Sequence, residues 1–504
     1  MINAILILSG VTVIATTMAF LTVWRRRTSL QETWLEAFAW VPGIALAIMS
    51  LSVFGTRYFF ERWPTPIEVL IGLAVILLTL YVSTLFRKEP TNHPETGTLK
   101  YASRFLHVFA IAAVIATTIP YYASSQARPN GSWDAMAIWN MHARSLARSE
   151  GSMVEILSEQ KASHPEYPHC IPQSVATLLR LSGESPYPAQ YLGFLIYLGI
   201  VFGLYIAVRR FASSLLGAAA VILLVATPGV VLGAAAQAAD ISVAYFNLIA
   251  AFGLASQFLP GKEKRVPAWL AGFFLGLLPW TKREGMILAA GMFLAFFLVL
   301  MLVKEMRGRR LRSLIPILLG ATPGVTAFLL LKTGWAPEDT QLHSGFRGVA
   351  DHIFDGERWR ELGLQVKKEV TTGGDIFFRK NPKKANFLML RWGITWPALG
   401  CALLLLTRPL KVLRRSAAHR CITLIVLAQL SGLFILYLTV PERQVWLLET
   451  SFHRLLLQIV PVLIFAIFSL STLGMAKKPA LVVPQESDAP LASEQTPIDV
   501  HNIE

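Results

Sequence analysis

Gly233-Ala234-Ala235-Ala236-Gln237-Ala238-Ala239-Asp240 interrupts an otherwise apolar stretch that runs from Leu215 to Leu259. A helix crosses ~30 Å of hydrocarbon with ~20 residues, so the stretch holds two spans, 214–236 and 241–259, joined by a short turn. That turn leaves Asp240 almost within the membrane. Ionisable groups so close to hydrocarbon are costly and mostly functional; the plain alternative is a helix-boundary charge.

Outward from this pair, apolar runs of ~18–23 residues predict helices over 2–24, 37–55, 68–86, 105–123, 189–208, 268–281, 285–303, 314–331, 388–407, 420–440 and 455–475. Strands of a barrel would be shorter and would alternate. With 54% hydrophobic and 15% charged residues among 504, an ordinary soluble multidomain protein is excluded. The expected fold is an all-α polytopic membrane protein of about thirteen transmembrane helices with two long extracytoplasmic loops, 124–188 and 332–387.

The net charge of +15 reflects Lys and Arg in short connections. Arg25-Arg26-Arg27 follows the first span, and Arg87-Lys88, Arg209-Arg210, Lys262 to Arg265, Lys304 to Arg312, Lys411 to Arg415 and Lys477-Lys478 then all fall on one side. The positive-inside rule makes that side cytoplasmic, with the N-terminus outside and the C-terminus inside. No nucleic-acid-binding motif accompanies the charge, so no nucleic-acid partner is expected. Cys170, Cys401 and Cys421 are too few and scattered for a disulfide framework or zinc site. The lack of long lumenal domains fits a bacterial inner membrane, and residues 476–504, rich in Pro, Ser, Glu and Asp, read as a disordered cytoplasmic tail.

In the first long loop, Ser132 is placed to cap a helix beginning at Trp133, with Asp134 near its positive end and an apolar stripe of Ala137, Ile138, Met141 and Leu146. A second short helix is expected from Pro172 to Gly183. Between them, His164-Pro165-Glu166-Tyr167-Pro168 must be extended, because each proline disfavours a helical residue before it.

Asp134 has a plain role, stabilising a helix N-terminus, and a functional one beside Asp240. Trp280-Thr281-Lys282-Arg283-Glu284-Gly285 puts two cations in an outer turn, either as a solvated turn or as a phosphate clamp of charge-assisted hydrogen bonds. Arg443, His453 and Arg454, expected in the last outer loop, stand ready to join that clamp. His164, Glu166 and His169 are metal-ligand types, but the two prolines spoil the spacing and no acid cluster completes the set, so substrate contact is favoured over a metal.

Trp133-Asp134-Ala135-Met136-Ala137-Ile138-Trp139-Asn140, His164-Pro165-Glu166-Tyr167-Pro168, Ala239-Asp240 and Trp280 to Gly285 occur in this order and resemble segments of the GT-C class of polyprenyl-phosphate-sugar-dependent glycosyltransferases. The similarity is to the family-39-like group, related to protein O-mannosyltransferases and aminoarabinose transferases, and covers about residues 105 to 475. It implies a GT-C-like catalytic module over 105–331, including loop 124–188, followed by loop 332–387 and C-terminal helices 388–475. Residues 1–104 would be extra N-terminal helices.

The resemblance implies catalytic acids at Asp134 and Asp240, and substrate contacts at Trp133, Asn140, His164, Glu166, Tyr167, Lys282, Arg283, Glu284, Arg443, His453 and Arg454. Asp240 stands without an acidic neighbour, so a divalent metal is not favoured and no cofactor is expected. The implied partners are membrane lipids, a polyprenyl-phosphate-linked sugar donor and a glycan, lipid or protein acceptor. The expected chemistry is one inverting displacement: Asp134 is the general base, Lys282, Arg283 and Arg454 stabilise the departing phosphate, and Asp240 orients the acceptor or His164. The alternatives are a transporter or lipid flippase, and a glycan ligase using a polyprenyl diphosphate.

Overall fold

The computed structural model describes residues 30–60, 63, 97–150, 164–182, 185–260, 266–334, 352–371, 391–407, 409–439 and 444–471. The helices expected over 2–24 and 68–86, Arg443 and the tail 476–504 lie outside the described residues. In chain order the α-helices are α1 (Leu30–Phe60), α2 (Gly97–Ala127), α3 (Asn140–Arg148), α4 (Cys170–Ser182), α5 (Tyr187–Phe211), α6 (Ser214–Val225), α7 (Pro228–Ala235) and α8 (Ala239–Ser256). They continue as α9 (Ala268–Thr281), α10 (Arg283–Leu302), α11 (Arg310–Gly334), α12 (Gly356–Thr371), α13 (Thr395–Cys401), α14 (Pro409–Arg415), α15 (Ala417–Thr439) and α16 (Gln444–Ser469).

Eight of these helices are long and apolar enough to cross a membrane. The protein is therefore an all-α, multi-pass membrane protein, and α8 runs through its centre with its whole span buried. At the other extreme, α2 is the least buried span; it carries Phe105, Phe109, Ile115 and Ile119 outward and meets α5 through Thr117–Tyr197 at 2.7 Å and Tyr121–Gln190 O at 2.5 Å.

Three sequence expectations are corrected. The span expected over 214–236 is two helices, α6 and α7, bent by 64°. Pro228 explains the break: Thr227 before it is extended at φ −95°, ψ 97°, and proline takes the first position of the next helix, where its missing N–H costs nothing. The last helix begins at Gln444 rather than 455, about three turns early, so His453 and Arg454 are helical rather than loop residues. Leu448, Phe452 and Leu455 supply its buried stripe. Within 332–387, Gly356–Thr371 is a helix with Leu362, Gln365 and Glu369 buried, and Arg358 donates to Leu438 O at 3.0 Å.

Residues expected to form an extra N-terminal portion share the core. Tyr245 Oη of α8 donates to Ala39 O at 2.6 Å and accepts from Gly43 N at 3.2 Å, while Trp280 Nε1 donates to Ser50 Oγ at 2.8 Å. Among the described residues, α9 and α11 pack backbone against backbone. A Cβ added to Gly276 would stand 2.3 Å from Ala321 O, and one added to Gly324 would stand 2.3 Å from Gly276 O. Gly272 likewise meets the Ile317 backbone and Gly320 the Trp269 backbone, and small residues four apart on each helix let two backbones touch, which supplies packing where lipid offers no hydrophobic drive.

This contact fixes the height of α9 and of the turn that follows it. Gly276→Val and Gly324→Val should each destabilise by on the order of 1–3 kcal/mol through overpacking, read as a lower unfolding midpoint in detergent. An unchanged midpoint for both would mean that α9 and α11 separate freely.

Candidate functional site

The site begins with the docking of one loop onto one turn. Between α7 and α8 the chain reverses through Gln237 in the left-handed region, at φ 57°. Gln237 Oε1 accepts from Asn140 Nδ2 at 2.8 Å, and its Nε2 donates to Pro129 O at 3.0 Å. Ser132 N donates to Ala236 O at 2.9 Å. Gly131 permits this approach: its φ is +83°, and an added Cβ would lie 2.6 Å from Ala236 O. The sequence Gly131-Ser132-Trp133-Asp134 is thereby pressed against the turn that opens α8.

Trp133 and Asp134 begin the helix expected there, but residues Ala135–Trp139 form a π turn before α3. A π turn changes the rotation between the flanking residues, so Trp139 is fully buried while Trp133 is 69% exposed.

Asp240 lies in the first turn of α8, where a carboxylate meets the positive end of the helix. Its Oδ1 accepts from Lys282 Nζ at 2.8 Å and Gln458 Nε2 at 2.7 Å. Its Oδ2 accepts from Arg454 Nε at 3.1 Å and Nη2 at 2.9 Å. The same Arg454 Nη2 stands 2.5 Å from Asp134 Oδ2, so one nitrogen joins the two acids.

Lys282 also pairs with Glu284 at 3.2 Å, and Arg283 pairs with Glu166 while lying over the Tyr167 ring at 4.7 Å. His164, at φ 58°, completes a second group: its Nδ1 is 3.2 Å from Glu166 Oε1 and its ring stacks on Tyr167 at 4.7 Å.

Residues far apart in sequence therefore converge at one end of the helices. Asp134, Asp240, Glu166, Glu284, Lys282, Arg283, Arg454, His164 and Tyr167 form the cluster, and Asn140 supports it through Gln237. Trp133 stands outside it. His453 precedes Arg454 on α16 and is half-buried.

One expected role changes. Asp240 has both oxygens occupied by Lys282, Arg454 and Gln458, and His164 turns to Glu166, so Asp240 does not orient His164. In the turn, Lys282 and Arg283 are each paired with acids.

Gln458, Asn247 and Gln429 were not anticipated. Gln458 follows Arg454 by one helical turn on the same face. Asn247 Nδ2 donates to Gln458 O at 2.8 Å and Gln429 Oε1 at 3.2 Å, and Gln429 Nε2 returns to Asn247 Oδ1 at 2.5 Å. Polar residues recurring on the buried faces of apolar helices were the available signal.

Exposure divides the cluster. The side chains of Asp240 and Lys282 are each 5% exposed, against 22% for Asp134 and 26% for Arg454. Burial opposes ionisation of Glu166, but the His164 hydrogen bond, a backbone hydrogen bond and Arg283 outweigh it and hold its carboxyl at about 2. Among the described residues, no three His, Cys, Asp or Glu side chains gather as metal ligands.

Removing Asp240 takes away the buried carboxylate between two cations and leaves Lys282 with Glu284 and Arg454 with Asp134. Asp240→Ala should cost about 3–5 kcal/mol, as for breaking other buried pairs, and adding Lys282→Met should recover part of it in a thermal-unfolding series. No recovery would show that Lys282 is not held by Asp240.

Because the folded Glu166 carboxyl is depressed, its stabilising contribution is present above the ordinary value of 4.5 and is lost as pH falls toward about 2. Fluorescence of Trp139, whose ring lies 5.6 Å from Tyr167, should report this acid transition, and Glu166→Gln should remove it. No family model, curated protein or solved structure matches this chain.

Proposed function

We propose that the protein is an integral membrane glycosyltransferase that moves a sugar from a polyprenyl-phosphate donor to a glycan, lipid or protein acceptor on the extracytoplasmic face. In this reading the chain crosses a bacterial inner membrane about thirteen times, the N-terminus is outside and the C-terminus is cytoplasmic. The observation that carries it is the sharing of Arg454 Nη2 by Asp134 and Asp240. It joins the two acids of the resemblance through an arginine that lies 214 residues beyond Asp240.

The two acids then have different tasks. Asp240, buried and hydrogen-bonded on both oxygens, fixes Lys282 and Arg454. Asp134, the more exposed, is the general base. The acceptor oxygen attacks the anomeric carbon as Asp134 takes its proton; the bond from that carbon to the phosphate oxygen breaks, and its electron pair leaves with the lipid phosphate. One displacement inverts the sugar. Arg454 and Lys282, held in place before reaction, stabilise the charge that gathers on the leaving phosphate.

Transport remains the second reading because of one observation: the 64° break between α6 and α7 lies in the chain leading to the charged cluster, and transporters build sites from broken helices.

The test supplies purified protein in lipid with a panel of polyprenyl-phosphate sugars and a membrane extract as acceptor source. Released polyprenyl phosphate and transferred sugar are measured. Wild type should release lipid phosphate in step with transfer, and Asp134→Asn should lower both at least about 100-fold. Undiminished turnover rules out the base assignment. Intact donor accumulating across a sealed vesicle would instead establish transport.

A further inference from the structure

The cations of the cluster differ in how firmly their partners hold them. Lys282 is buried between Asp240 and Glu284, and Arg283 is held by Glu166 against the Tyr167 ring. Arg454 is the most exposed of the three. Its Nε and Nη2 make aligned hydrogen bonds to Asp240, whereas its contact with Asp134 is an ion pair. Asp240 in turn is gripped by Lys282 and Gln458 and is 5% exposed. Asp134 is 22% exposed, and Arg454 is its partner among the described residues.

An anion approaching this site meets Arg454 first. It competes with whichever carboxylate is less firmly held, and that is Asp134.

We propose that Asp134 is the resting counter-ion of Arg454, and that a lipid-borne phosphate takes its place on the guanidinium when it binds. This rests on the glycosyltransferase reading and adds a sequence of events to it. While Asp134 Oδ2 is paired with Arg454, that oxygen is not free to receive an acceptor proton and the guanidinium draws charge from the whole carboxylate. Phosphate on Arg454 releases it, so the donor enters before the acceptor and the base is uncovered only when there is a sugar to transfer. Asp240 stays on Arg454 throughout and keeps the guanidinium aimed. Binding of phosphate and pairing of Asp134 are thus linked through one group, and linkage requires that weakening one strengthens the other.

The experiment measures equilibrium binding of farnesyl phosphate, a short prenyl monophosphate, to the full-length protein in nanodiscs of a zwitterionic lipid, with inorganic phosphate and farnesol as parallel arms. Asp134→Asn, which keeps the shape and removes the charge, should bind farnesyl phosphate at least about fivefold more tightly than wild type, the lower end of usual couplings between sites. Asp134→Glu, which keeps the charge, should show no such gain, and Arg454→Gln should lose binding. Thermal-unfolding midpoints establish that each variant is folded, and Asp134→Ala substitutes for Asp134→Asn if that variant does not fold.

Equal or weaker binding by the neutral variants, with wild-type binding intact, overturns the exchange and leaves the glycosyltransferase reading in place. Failure of every form to bind farnesyl phosphate overturns both. A gain seen equally with inorganic phosphate assigns recognition to the phosphate alone; a gain confined to farnesyl phosphate shows that the prenyl chain delivers it. Tightening with uncharged farnesol overturns the exchange, because an ion-pair competitor cannot act on it.

Discussion

The carboxylate of Asp240 is the point on which this structure turns. It is buried at the start of the central helix, and it receives hydrogen bonds from a lysine in the α9–α10 turn and from an arginine and a glutamine on α16. An isolated charge there would carry a heavy desolvation penalty, so α8, the α9–α10 turn and α16 are held in one register by the need to keep it paired. Everything exposed in the cluster is arranged relative to that fixed centre.

The register is reinforced from below and from the side. One turn deeper on α16, the Gln458 carbonyl accepts from Asn247, which exchanges hydrogen bonds with Gln429 on α15. This buried amide pair ties three helices together with no charge to neutralise. To the side, the glycine contact of α9 with α11 sets how far Lys282 reaches. Helix packing alone leaves sliding along an apolar interface inexpensive; directional hydrogen bonds at two depths oppose it.

Legibility in the sequence followed the range of the interactions. Helical character and most spans were visible because burial in lipid requires long apolar runs. Asp134, Asp240, Glu166, Lys282, Arg283 and Arg454 were visible because charge beside hydrocarbon is conspicuous. What stayed hidden was geometric. Pro228 marks a possible break, yet its 64° bend depends on what surrounds it; Thr227 Oγ1 lies 2.6 Å from Thr395 Oγ1, and Gly229 N donates to Arg391 O at 2.7 Å. The early start of α16 is masked in the sequence by Glu449 and Arg454, which lower its apolarity, although Arg454 faces a paired acid rather than lipid. Pairings such as Arg283 with Glu166 are set by the tertiary fold, and residue spacing carries no record of them.

Charge balance then separates a site that is assembled from one that is open. The described cluster sets Lys282, Arg283 and Arg454 against Asp134, Asp240, Glu166 and Glu284, so the resting arrangement satisfies its cations internally. Such a site does not attract anions over long distances in the way a bare basic patch does. An anionic ligand must bring its charge to the cluster by another route, and partition into the membrane is one that concentrates it beside the helices before any ion pair changes partners. In the proposed exchange the membrane would supply encounter, Asp240 a fixed frame, and selectivity would rest on the ligand's ability to replace a carboxylate at Arg454 without disturbing the acid behind it.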